Sequence, residues 1–179
     1  AMVNLPANCR ANCCGVRNLP PPWRLNNPAM SDLQPVPAND DTLARAVDIL
    51  KSGGLVAFPT ETVYGLGADA TNADAVAGIF KDKGRPDFNP LICHVPNLAA
   101  AERLGVFDDT ARRFAAAFWP GALTLVVRKQ PDCPVAAAVS AGLETIAIRV
   151  PDHPLAQALL KKVQRPLAAP SANRSGAVS

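Results

Sequence analysis

Lys83, Gly84 and Arg85 place two cations around a glycine, and Asn89 follows in a segment flanked by Pro86 and Pro90. A lysine supplies a point charge and an arginine a planar fork, a pairing suited to phosphate oxygens. The glycine lets a backbone approach closely, and the prolines stiffen the loop. The plainer use of such residues is a solvated basic turn. Arg149 lies in the apolar run "TIAIRV". A cation there must find an anion, so it is either an ion-paired core residue or a clamp on a ligand. Ser171 and Asn173, in "APSANRSG", offer a hydroxyl and an amide, groups that more often cap a helix or close an Asx turn. His94 occupies an alternate position in "LICHV", where a lone histidine is more often a satisfied core residue than a ligand.

These residues need elements to hold them. Leu43, Ala46, Val47 and Leu50 recur at helical spacing, with Asp40 or Asp41 as the expected cap and Gly53–Gly54 as the stop. "LVAF" (55–58) reads as a buried strand, residues 73–80 as a short helix and "LICHV" (91–95) as the next strand. A helix near 109–118 precedes "WPG", which turns the chain into a strand at 123–127. "TIAIRV" (145–150) is another strand, Leu155, Leu159 and Val163 mark a helix, and "PLAA" (166–169) begins a last strand. Alternating strands and helices predict an α/β fold with a largely buried, twisted, mixed sheet and flanking helices. Four segments are then expected to follow strand ends, where such folds collect ligands: 59–67, 83–91, 148–154 and 169–176. The first of them, "PTETVYGLG", could also be no more than strand, turn and close-packed glycines.

Composition narrows the classes. Apolar residues make up 49% of the 179, enough for one domain with a core. No apolar run approaches the roughly 20 residues that cross a bilayer, so a soluble, cytoplasmic chain without membrane partners is expected. Arg10, Arg17 and Arg24 account for the whole net charge of +3, and residues 30–179 are balanced. Nucleic-acid affinity of the main domain must therefore come from local patches. The five cysteines are an odd count, which speaks against a disulfide framework and for a reducing compartment. Cys9, Cys13 and Cys14 lack zinc-site spacing, and no metal site is expected. Residues 1–29, with "NLPPPW", are expected to be an unstructured or appended tail, and Met30 a plausible start. There is no phosphate-loop signature G-x-x-x-x-G-K-[ST], no G-x-S-x-G elbow and no zinc-protease histidine pair.

From about Ala38 onward, the chain resembles the YrdC-like family of threonylcarbamoyl-adenylate synthases. The resemblance rests on "FPTETVYGLGADA", K-x-R at Lys83/Arg85 with "NPL", "WPGALTLV", "IAIRVPDHP", and S-x-N at Ser171/Asn173, all in order. It implies a YrdC-like (RibB-like) twisted sheet around a deep basic cavity. It also implies a nucleotidyltransferase that joins L-threonine, bicarbonate and ATP into L-threonylcarbamoyl-adenylate and pyrophosphate. Mg²⁺ would accompany ATP. The product would pass to a tRNA threonylcarbamoyl-transferase complex for N6-threonylcarbamoyladenosine formation.

By motif, the resemblance implies that Thr62, His94, Arg149 and the backbone at Ala169 hold threonine, with Arg149 on its carboxylate. Arg85, Asn89, Thr145, Ser171 and Ser179 would hold ATP. Lys83 and Asn173 would complete the set at the phosphates, and Lys83 and Arg85 would be the catalytic cations. Family chains run on past "SANRSG", so a domain at 30–179 would lack the family's C-terminal part. Two other readings stand beside the synthase. One is a non-catalytic module binding tRNA or double-stranded RNA weakly. The other is a HypF-type carbamoyltransferase module, whose acylphosphatase and paired-cysteine segments are not visible in this sequence.

Overall fold

The computed structural model describes Met2–Val3, residues 35–173 and Ser175. Helix α1 (Asp40–Lys51) buries Leu43, Ala46, Val47 and Leu50, the apolar positions of its sequence repeat. Its cap is Asn39 rather than Asp40 or Asp41. The Asn39 side chain accepts from Thr42 N–H and the Thr42 hydroxyl is bonded in return, closing a capping box, while both aspartates enter the first turn. Helix α2 (Ala73–Lys83) runs three residues beyond the expected 73–80. Gly84 stops it in the left-handed region (φ 58°), and Arg85 N–H closes the 6→1 bond to Phe80 C=O at 2.9 Å. The segment 83–91 therefore follows a helix, not a strand as the sequence suggested. Helices α3 (Leu98–Glu102), α4 (Asp109–Phe118) and α5 (Pro154–Val163) complete the set. None of the helices among the described residues is long and apolar enough to cross a membrane.

The strands are β1 (Met2–Val3), β2 (Pro35–Val36), β3 (Val56–Phe58), β4 (Gly65–Asp69), β5 (Ile92–His94), β6 (Gly105–Val106), β7 (Leu125–Lys129), β8 (Thr145–Arg149) and β9 (Leu167–Ala168). They form one mixed sheet in the order β2-β1-β3-β4-β9-β5-β8-β7-β6. Only β5 and β8 pair in parallel; the other neighbours are antiparallel. β7 starts two residues later than "LTLVV" suggested. The rest of residues 1–29 lies outside the described residues, and with it the expected tail.

The sheet is covered unevenly. One face packs Cys93, Ile146, Ile148 and Val127 against Val76 and Ile79 of α2. On the other, α1 and α5 cover Val56, Phe58 and Leu167. Side chains alternate along a strand, so Ile92 and His94 of β5 share that second face with Thr145, Ala147 and Arg149 of β8. Next to them, Val126 and Arg128 of β7 are exposed. This half of the face is the open floor on which the candidate site is built. Cys93 and Cys133 are free thiols, and burial, then the neighbouring Cys133, pushes the Cys93 thiol up.

Candidate ligand-binding site

His94 and Arg149 stand side by side, in register on parallel strands β5 and β8. Arg149 is the buried cation that the sequence singled out, and its anion is Glu61, with Nη2 to Oε1 at 2.9 Å. The same Nη2 donates to the Thr62 hydroxyl at 3.1 Å, and Nε donates to the Gly121 carbonyl at 3.2 Å. The ion-paired reading of Arg149 is thus observed, and the same nitrogen contacts Thr62, which the resemblance assigns to threonine. The loop 59–64 is braced for this by Thr60, whose hydroxyl donates to Val63 C=O at 2.6 Å and contacts the Thr62 hydroxyl at 3.1 Å. Gly121 is needed on the other side because an added Cβ would lie 2.4 Å from Phe118 O. It follows a cis Trp119–Pro120 bond, and its N–H donates to Val150 C=O at 2.8 Å.

Electrostatics separate the two buried groups. Burial, then the Arg149 charge, lowers His94 to about 4, so the imidazole is neutral at pH 7. Its Nδ1 lies 3.2 Å from Ile92 C=O, so the neutral ring carries its proton there. The Phe58 ring meets it edge-on at 6.1 Å. Nε2 is then an acceptor. For Glu61, burial acts to raise the pKa, but the Arg149 hydrogen bond and charge and backbone N–H groups outweigh it, and the pKa is lowered. Glu61 is an anion at pH 7.

A second group of residues gathers at the other end of the same strands. Thr145 opens β8, four residues from Arg149, which is about 13 Å along a strand. β5 begins and β9 ends at that side, because β5 runs parallel to β8 and β9 antiparallel to β5. Arg85 and Asn89 lie just before β5; the guanidinium donates to the carbonyls of Pro90 at 3.1 Å and Asn89 at 3.4 Å. Ser171 lies just past β9 and bridges to Gly65. Ala169 N–H is already spent on Ile92 C=O at 2.9 Å.

Lys83 is buried, and its ammonium donates to the main-chain carbonyls of Ser171, at 2.6 Å, and Asn173. Burial and then Arg85 lower its pKa. Its own carbonyl accepts from Ser175 N–H at 3.2 Å. Lys83 thus fastens the S-x-N segment to the end of α2. Ser179 falls outside the described residues.

The arrangement has two poles: a buried cation with a neutral acceptor at one end of the strands, and arginine, hydroxyl and amide groups at the other. The Sua5/YciO/YrdC model, described as "Telomere recombination", matches residues 48–179. The chain belongs to the Sua5/YciO/YrdC family.

Within the family, it is similar to the threonylcarbamoyl-AMP synthase of Bacillus subtilis, at 52% identity over 77% of this chain and 40% of that protein. It is also similar to the one from Stenotrophomonas maltophilia, at 37% identity over 75% of this chain and 73% of that protein. Among solved structures it resembles Pyrococcus abyssi Sua5 complexed with L-threonine, with TM-score 0.76 and 44% identity over 80% of this chain and 42% of that one. Escherichia coli YciO shares the fold at TM-score 0.71 and 26% identity, over 80% of this chain and 69% of that one. The chain spans about two-fifths of the length of the first curated relatives it matches. A HypF structure at 19% identity shares the fold alone.

Glu61 and Gly121 were not singled out in the sequence. Glu61 was findable: a buried arginine demands an anion, and "PTETVYGLG" holds a single acid. Gly121 was not, because its part is played by a carbonyl that any residue type carries.

Proposed function

We propose that the chain binds L-threonine and ATP at the two poles and forms threonylcarbamoyl-adenylate and pyrophosphate from them with bicarbonate. The observation that carries the reading is the His94–Arg149–Thr62 cluster, which unites three of the residues assigned to threonine. Support comes from the relatives' names and from the family structure complexed with L-threonine. The Arg149 guanidinium takes the substrate carboxylate, and His94 Nε2 accepts from the threonine hydroxyl or amine. The amine, once it has lost its ammonium proton, condenses with bicarbonate to a carbamate with release of water, and a carbamate oxygen then attacks the α-phosphorus while pyrophosphate leaves. No protein nucleophile is needed, so the protein's work is positioning and charge stabilisation. Arg85, Asn89, Thr145, Ser171 and Asn173 hold the nucleotide.

The described residues offer no cluster of three or more His, Cys, Asp or Glu that could hold a metal. Mg²⁺ would accompany ATP, and no step is assigned to it. The product would go to a separate tRNA-modifying complex in the cytoplasm. The test is a thermal melt with threonine, with ATP and with both, followed by threonine-dependent pyrophosphate release. A ligand held only by the folded state raises the midpoint. A folded chain that responds to neither ligand overturns the reading.

A further inference from the structure

The Arg149–Glu61 pair does more than neutralise a buried cation. Arg149 uses Nε and Nη2 on Gly121, Thr62 and Glu61. Its Nη1 makes no hydrogen bond within the described residues. The Arg149 side chain keeps 10% of its surface exposed, and no buried side-chain nitrogen or oxygen of the described residues lacks a partner. The guanidinium can accept a second carboxylate while Glu61 stays in place.

Charge decides which ligand suits this guanidinium. Arg149 and Glu61 already cancel, and His94 beside them is neutral. A simple carboxylic acid would bring an uncompensated negative charge to a largely buried site. A zwitterion brings none, provided that its ammonium reaches the remaining carboxylate. The Glu61 side chain keeps 22% of its surface exposed, and its carboxylate, already bonded by Arg149 and by backbone groups of Glu61 and Asp152, still has a lone pair for an ammonium.

We propose that Glu61 is the ammonium-binding residue of the site, and that the Arg149–Glu61 pair reads both ends of an α-amino acid and rejects carboxylates lacking the amine. The inference rests on the threonine reading above and deepens it. Once the amine is carbamoylated it carries an anion instead of a cation. Glu61 then repels the group it first held, in the sense that favours its departure toward the arginine at the other pole.

The test compares L-threonine with 3-hydroxybutyrate, which keeps the carboxylate and hydroxyl but lacks the amine. Both are titrated calorimetrically into the parent, Glu61→Gln and Glu61→Asp. The parent is expected to prefer threonine at least tenfold. Glu61→Gln should lose most of that preference through weaker threonine binding, with 3-hydroxybutyrate unchanged or tighter, and Glu61→Asp should keep part of it. An unchanged preference in Glu61→Gln overturns the inference. So does tighter threonine binding, which would make Glu61 a counter-ion that the substrate displaces. If Glu61→Gln does not fold, equal affinity of the parent for both ligands overturns it. A parent that binds no threonine overturns the functional reading itself, and this inference with it.

Discussion

The ammonium of Lys83 donates to the main-chain carbonyl of Ser171 at 2.6 Å, across 88 positions of sequence. The contact joins the last residue of α2 to the S-x-N segment, which also takes the Asn173 carbonyl to the same ammonium. A lysine in a K-x-R motif thus supports its partner motif directly. Lys83→Met leaves those carbonyls without their donor. Ser171 and Asn173 are both half-buried, so the loss should lie toward the lower end of the about 1–3 kcal/mol that an unsatisfied buried acceptor costs. A denaturation curve should register this loss, and hydrogen exchange should show earlier opening at Ala172, whose N–H otherwise bonds Tyr64 C=O at 2.7 Å. Unchanged stability and protection would mean that the ammonium is not holding the segment.

Arg149→Met removes one half of a largely buried pair. The cost on the order of 3–5 kcal/mol comes from stranding Glu61. Threonine binding should fall as well, by about 2–5 kcal/mol, the cost of truncating one partner of a buried charge pair. The double variant Arg149→Met/Glu61→Gln separates the effects. It should recover much of the stability and none of the affinity. Recovery of threonine binding in the double variant would show that Arg149 is a core residue only.

Acid sensitivity should centre on His94. Its folded-state pKa, about 4, lies below the unfolded value near 6.5, so the unfolded chain binds the proton better. Its contribution is present in full above pH 6.5 and is lost as pH falls toward 4, at up to roughly 1.4 kcal/mol per pH unit. Glu61 is lowered from 4.5, so its loss begins only at the acidic end of that window. Unfolding free energies measured from pH 7.5 to 4.5 should therefore be flatter for His94→Gln than for the parent. Parallel curves would show that His94 does not carry the dependence.

Gly121→Ala forces a Cβ to within 2.4 Å of Phe118 O, and backbone cannot step aside as a flexible side chain would. The expected destabilisation is about 1–3 kcal/mol. Because Gly121 C=O accepts from Arg149 Nε, threonine affinity should fall beyond what global stability explains. A stability loss with intact affinity would confine Gly121 to the turn.

What the sequence disclosed follows the strength of its signals. α1 and α5 were legible because their apolar positions repeat at helical spacing. β5 and β8 were legible as apolar runs between turn residues, and their pairing then put His94 beside Arg149. "GLGAD" hid β4, since glycine and alanine carry little strand preference and this strand is held by its neighbours. α3 and β6, at 5 and 2 residues, are too short to show a period. Lys83 was read as part of a basic turn, three residues past the expected end of the helix. The buried positions Val76, Ile79, Phe80 and Lys83 continue one helix face, and the lysine stem finishes it. The partners of Arg149 come from residues 61, 62 and 121, far apart in the chain, and only the folded sheet states which acid and which carbonyl they are.

The order of the strands also sets a schedule for the ribosome. β9 lies between β4 and β5 and is the only element pairing with both, yet Leu167 and Ala168 are translated long after either neighbour. At roughly 5–20 residues per second, His94 waits roughly 4–15 s for the strand that flanks it. Through that interval the nascent chain carries two open edges, on β4 and on β5, each able to pair with another chain. Crowded polysomes are where a slow codon or a missing chaperone would be felt. The two halves of the site are joined only once β9 has emerged between them.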